Sequence, residues 1–268
     1  MTAATIRILS LTLFASAAAF AQAPVSVFVD DFTWTELAGQ IRSGKTTVIV
    51  PIGGTEQNGP HMALGKHNVR VKALAEKIAR SLGNAVVAPV IAYVPEGSIN
   101  PPTSHMRFPG TITVPDATFE SVLEYAARSF RLHGFRDIVF LGDHSGYQKD
   151  ESAVAARLNR EWAATPVRAH AIVEYYDATQ KAYVEALRRA GYRDDEIGTH
   201  AGLADTSLAL AVDPRLVRAD LLKSAAPPDR RDGVYGDPRR ASAELGQLGV
   251  DAIVRETVDA IRKASLRR

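Results

Sequence analysis

The 268-residue chain contains no cysteine. Disulfides, thiolate metal sites and thiol catalysis are therefore excluded, and any metal must be held by imidazole, carboxylate or amide oxygen. Charge of one sign is lacking too, since 32 Lys and Arg stand against 30 Asp and Glu for a formal net charge of +2. Aromatics are only 7% of the residues, with no basic stripe and no aromatic interleaving, so a nucleic-acid partner has no electrostatic or stacking footprint. Internal repeats and low-complexity tracts are absent, and no apolar run beyond the N-terminus is long enough to suggest a membrane span.

The one N-terminal apolar run, 8–20, follows a short segment carrying the single positive charge of Arg7 and ends at Ala19-Phe20-Ala21, an A-x-A cleavage pattern. A run of about thirteen residues falls short of the roughly twenty that cross a bilayer as a helix. Segment 1–21 reads as a secretory signal peptide, with the periplasm or the exterior as its destination and no membrane contact after cleavage. Loss of Arg7 leaves a net charge of +1. The remaining residues, 22–268, are enough for one substantial core.

Apolar β-rich runs at 46–52, 84–90, 137–141 and 167–175 alternate with helix-like stretches at 34–43, 69–82, 117–132 and 151–164. Further helices are expected at 178–189 and 241–263. This alternation predicts an α/β fold, a mostly parallel central sheet covered on both faces by helices. The Pro- and Gly-broken stretches 93–115 and 225–238 read as functional loops, and 263–268 as a solvated tail.

Two segments carry chemistry. Pro51 to His61 and Phe140 to Gly146 each follow a strand-like run and place Glu56, His61 and His144 just beyond it. In open α/β sheets ligands gather beyond the carboxyl ends of the strands, so the two segments can meet at one site.

Six motifs in register carry a resemblance: Gly-x-x-Glu-Gln-x-Gly-Pro-His at 53–61, His-x-x-Phe-Pro-Gly-Thr at 105–111, His-Gly-Phe-Arg at 133–136, the Gly-His segment at 142–146, His-Ala-Gly-x-x-x-Thr-Ser at 200–207 and Gly-Val-x-Gly-Asp-Pro at 233–238. Together the chain resembles the creatininase (creatinine amidohydrolase) family. The resemblance implies a three-layer α/β/α sandwich, a homo-oligomer that is often a hexamer, a divalent metal site at the strand ends, and hydrolysis of a non-peptide or cyclic C–N bond of a small molecule. It also implies two metal ions, but this chain departs from that pattern. Asn58 stands where the family has His, His67 where it has a metal-bridging Asp, Gly146 where creatininase has Glu, and Asp205 where most relatives have Glu. An amide is a poor ligand for a borderline-soft ion, and a neutral imidazole does not bridge two cations as a carboxylate does. The expected site is therefore one divalent ion, Zn²⁺ ahead of Mn²⁺ or Fe²⁺, on Glu56, His67, His144 and Asp205. His200 takes the position of the family's catalytic His and is the expected proton donor to the leaving nitrogen. His105 and Arg107 are the expected substrate-binding residues, Arg107 orienting a carboxylate or carbonyl with its planar fork. The altered shell argues against creatinine itself as substrate.

Each residue has a plainer alternative. His67 also reads as an exposed loop residue, Asp205 equally as a helix cap, His61 as a brace for its loop, His105 as a pin for the Pro-rich loop, His133 as a helix C-cap and His170 as core. Gly142 to Gly146 is also similar to a serine-hydrolase elbow, but its order is Gly-x-x-Ser-Gly, so a Ser145 nucleophile is disfavoured. The remaining functional alternatives are a degenerate relative that binds a small molecule or protein without turnover, and a serine hydrolase.

Overall fold

The computed structural model describes residues 25–266 except 224, 225 and 227. The expected signal peptide lies outside the described residues. Four strands, β1 (Thr47–Ile52), β2 (Ala85–Val87), β3 (Asp137–Gly142) and β4 (Arg168–Ala171), form an all-parallel sheet in the order β2-β1-β3-β4. Strands β1 and β3 are buried at every position, as expected for parallel strands covered on both faces.

Alternate side chains feed two cores. Ile49, Val139 and Leu141 join one, with Leu74 and Ile78 of α2 (Lys66–Leu82), Tyr175 of α5 (Glu174–Gln180), Leu208 of α8 (Leu203–Val212) and Ile253 of α9 (Ala243–Ser265). Val48, Val50, Ile138 and Phe140 join the other, with Phe119 and Leu123 of α3 (Asp116–Leu132), and Leu158 of α4 (Gln148–Glu161) with the following Trp162. Helix α1 (Trp34–Arg42) leans its Leu37 and Ile41 on this second core. Three layers, α/β/α, result.

The chain runs from β1 outward to β2 and then returns to the other side of β1 as β3. The sheet order therefore reverses between β1 and β3, whose last residues Ile52 and Gly142 are paired. Such a switch point opens a crevice at the strand ends, and both chemistry-bearing segments leave the sheet there.

Most expected elements stand within a few residues of their sequence bounds. Three differ. Helix α2 begins at Lys66, one turn before the expected 69, because Gly65 supplies no side-chain cap to mark the start and its first turn is polar yet buried. The expected strand 167–175 stops at Ala171, and Tyr175 belongs to α5. The expected helix 178–189 is two helices, α5 and α6 (Ala182–Arg189), broken at Lys181, and the one-turn α7 (Asp194–Ile197) follows. The stretch 93–115 is irregular apart from a short 3₁₀ turn, Ser104–Arg107.

Candidate active site

Residues 53–61 leave β1 as a loop that returns into α2, which places Glu56 under the crevice with no exposure. Gly53 lets α2 approach closely, since a Cβ there would lie 2.9 Å from the Asn68 backbone nitrogen. His144 follows β3, and His105 sits on the Pro-rich loop beside the left-handed Ser104 (φ 48°). Ligand atoms of Glu56, His105 and His144 lie within 4.8 Å of one another. His105 Nε2 is 3.2 Å and His144 Nε2 3.6 Å from Glu56 Oε2. That oxygen is buried and no donor satisfies it. One carboxylate and two imidazoles are a donor set that suits Zn²⁺ or Mn²⁺.

His67 is buried, not an exposed loop residue. Its Nε2 is 2.7 Å from Glu56 Oε1 and its Nδ1 is 2.6 Å from Asp143 Oδ2. Both ring nitrogens thus face carboxylates, and His67 links Glu56 to Asp143. Asp205 stands in the first turn of α8, whose side-chain cap position is the bare Gly202. It accepts the Ala201 N–H (3.0 Å), pairs with the Lys66 ammonium and takes Arg70 Nη1 at 2.6 Å. Arg70 Nε also donates to Asp143 Oδ2 (2.8 Å), and the Tyr175 hydroxyl donates to Asp143 Oδ1 (2.6 Å). Of the four expected ligands, the structure brings Glu56 and His144 together with His105, whereas His67 and Asp205 are held in this neighbouring ion-pair network. No local pattern marks Lys66 and Arg70, because a helix start without a cap hides which polar residues turn inward.

Electrostatics follow the geometry. Burial pushes the Glu56 carboxyl up, but the His67 hydrogen bond and the charges of His67, His144 and Lys66 outweigh it and hold the group well below the ordinary carboxylate range. Burial likewise raises Asp205, and the Lys66 and Arg70 charges more than reverse it. His144 is lowered to about 4 by burial against the opposing pull of Glu56. His200 is lowered to about 3, by burial and then by the Lys66 charge. Its Nε2 lies 3.0 Å from the Gln57 carbonyl oxygen, which can only accept. Its lowered pKa leaves the ring neutral; Nε2, which the Gln57 side-chain nitrogen also approaches at 3.2 Å, carries the proton to that carbonyl, and Nδ1 is 3.7 Å from Glu56 Oε1. The left-handed Ala201 (φ 54°) follows it.

A cavity of about 250 Å³ lies over these groups, lined by Lys66, His67, His105, His144, His200 and Asp205 among others. Arg107 is exposed and lines a second groove, with Gln57, Arg230 and Tyr235, that reaches His105 and His200 from outside. Ser145 lines the main cavity beside Tyr176. Asn58 is buried and braces its own loop, donating to the Glu56 and Ala63 carbonyls at 2.9 and 3.1 Å. His61 is buried, with Nε2 3.0 Å from Thr206 Oγ1. His133 caps α3 through its backbone, and His170 pairs with Asp137 at 2.9 Å. A further carboxylate not singled out from the sequence, Glu96, is buried against His144, 4.0 Å from its Nε2. Its only sequence signal is a lone acid between Pro95 and Gly97 in an otherwise uncharged stretch.

The family description "Creatininase: Creatinine amidohydrolase" matches residues 30–261. The chain is 27% identical over 257 residues to a creatinine amidohydrolase of Pseudomonas putida, covering 89% of this chain and 97% of that one. It is 28% identical over 250 residues to a mycofactocin precursor peptide peptidase of Mycolicibacterium smegmatis, covering 85% and 90%. Among solved structures, a manganese creatininase superposes with a TM-score of 0.72 at 27% identity, covering 89% of this chain and 98% of that one. A creatininase mutant of Zn-Zn type gives 0.73 at the same identity and coverage.

Proposed function

This chain belongs to the creatininase family, and from that premise we propose that it is a metal-dependent amidohydrolase cleaving a non-peptide or cyclic C–N bond of a small molecule. The observation that carries the reading is the gathering of Glu56, His105 and His144 donor atoms at the switch point of the sheet. A divalent ion held there would activate water and polarise the substrate carbonyl.

The chain's own residues supply the rest. His200, neutral and with Nδ1 open beside Glu56, accepts the proton of the attacking water and passes it to the leaving nitrogen, which is too basic to depart unprotonated. The Gln57 carbonyl fixes the tautomer that makes this possible. Lys66 and Arg70 already neutralise Asp205 and Asp143, so that side of the site has no need of a second ion. Arg107, at the outer groove, orients a substrate carboxylate or carbonyl.

The test is hydrolysis of a panel of lactams and cyclic ureides, followed by release of the ring-opened product, with and without a chelator. Chelation should abolish turnover, and Zn²⁺ or Mn²⁺ should restore it. Turnover indifferent to chelation would transfer the chemistry to Ser145; a purified chain that takes up no metal would leave a binding protein.

A further inference from the structure

No hydrogen-bond donor accounts for the burial of Glu96, whose nearest polar neighbours are the Glu56 carboxyl and the His144 ring. The residue is 4% exposed, and no donor reaches either carboxylate oxygen. Its backbone is well anchored, the Glu96 N–H donating to Thr113 Oγ1 at 3.0 Å and the neighbouring Val114 N–H to the Val94 carbonyl at 3.2 Å. The loop is thus built to hold the side chain inward. Gly54 makes room for it: a Cβ at that position, where φ is +148°, would lie 2.6 Å from Glu96 Oε1. Any other residue there would push the carboxylate out.

The carboxylate faces the same space as the other donors. Glu96 Oε2 is 4.0 Å from His144 Nε2, which is itself 3.6 Å from Glu56 Oε2, the third buried oxygen in this space without a donor. Ligand atoms bound to one tetrahedral ion at about 2.0–2.2 Å stand roughly 3.3–3.6 Å apart; the Glu56–His144 spacing already lies there, and Glu96 joins the Glu56, His105 and His144 cluster only by moving closer to His144. Without a cation only one of two adjacent buried carboxyls stays ionised, and buried charges are tolerated when they are paired or coordinate a metal. Two carboxylates with two neutral imidazoles also balance the charge of one divalent ion.

We propose that Glu96 is a ligand of the divalent cation, adding a second carboxylate to Glu56, His105 and His144. The inference rests on the metal-hydrolase reading above and goes beyond it in assigning a ligand from the loop after β2.

The test measures metal affinity, not turnover. Zn²⁺ is titrated by calorimetry with a competing chelator into metal-free wild type, Glu96→Gln and, as a control, Glu151→Gln, which alters another buried carboxyl without a donor. Loss of a group that only supports a ligand weakens binding about 10- to 100-fold. Glu96→Gln should therefore raise the Kd at least about a hundredfold, while Glu151→Gln leaves it unchanged. The metal-free Glu96→Gln protein should melt no lower than wild type, since the amide is isosteric with the carboxyl and brings no charge into the buried site, and its metal-induced rise in Tm should be lost. A smaller change in Kd, or an equal loss in Glu151→Gln, overturns the assignment while leaving the metal reading intact. Absence of Zn²⁺ binding by wild type overturns both. If Glu96→Gln does not fold, Glu96→Ser is read by the same criteria.

Discussion

At the residue scale, the buried histidines set how the chain responds to acid. His61 and His144 are lowered to about 4 and His200 to about 3, in each case first by burial. Between about pH 6.5 and pH 4 the unfolded chain binds protons that the native chain refuses, so stability falls as pH drops through that window. Glu96 has the opposite sign. Burial, and then the Glu56 charge, push its carboxyl up to about 9, so its native proton stabilises at low pH and the benefit is lost as pH rises toward 9. Urea unfolding of the metal-free protein should show a maximum near neutral pH, with His61→Gln flattening the acid limb. An acid limb identical in wild type and variant would remove His61 from this account. His200 has a catalytic prediction of its own: His200→Asn should keep the fold and the metal while kcat falls at least about a hundredfold. A variant that folds, holds metal and turns over at the wild-type rate would place the proton carrier elsewhere. Glu56 and His144 could be placed beyond the strand ends from residue type and position, and His200 was expected only through the family resemblance. Lys66, Arg70 and Glu96 were not legible, because their significance lies in which way they turn.

At the element scale, close approaches of backbone decide which glycines are replaceable. Helices α8 and α9 cross at Gly246, where a Cβ would stand only 1.9 Å from the Ser207 carbonyl oxygen. That oxygen is main chain and cannot swing aside. Gly246→Ala should therefore push the helices apart and cost about 1–3 kcal/mol, as overpacking does. Gly39, inside α1, has only the tip of the Arg42 side chain near its missing Cβ, at 4.0 Å. Gly39→Ala should instead stabilise by about 0.4–1 kcal/mol by restricting the unfolded chain. Thermal melts of the two variants should shift in opposite directions, and a common direction would refute the crossing argument. The strand and helix periods were legible in the sequence. The break at Lys181 and the early start of α2 were not, since both depend on what packs against an otherwise helix-compatible stretch.

At the scale of the whole molecule, the count of bound cations is the sharpest expectation. Lys66 and Arg70 hold Asp205 and Asp143, Asn58 is turned into its own loop, and among the described residues one cluster of donors remains. Elemental analysis of the purified protein should give about one divalent ion per chain. A value near two would mean that His67 leaves its carboxylates to bind metal. The family resemblance further predicts a homo-oligomer, and the exposed Trp34, Tyr125 and Leu132 offer apolar surface for contacts between copies. Light scattering should return a multiple of the chain mass; a monomer would contradict the expectation.

The sequence by itself determined the layered α/β fold and the place of the chemistry, because periodicity records which faces are buried and a parallel sheet opens at its strand ends. Only the tertiary structure decided the company each group keeps. His144 meets Glu56 because β1 and β3 are neighbours in the sheet, and His105 reaches it from the loop after β2, the other neighbour of β1. His67 and Asp205 join the Lys66 and Arg70 ion pairs because α2 and α8 pack together over the same strand ends. Charge compensation at that depth acts over a few ångströms between residues more than a hundred positions apart, and no local pattern in the chain encodes it.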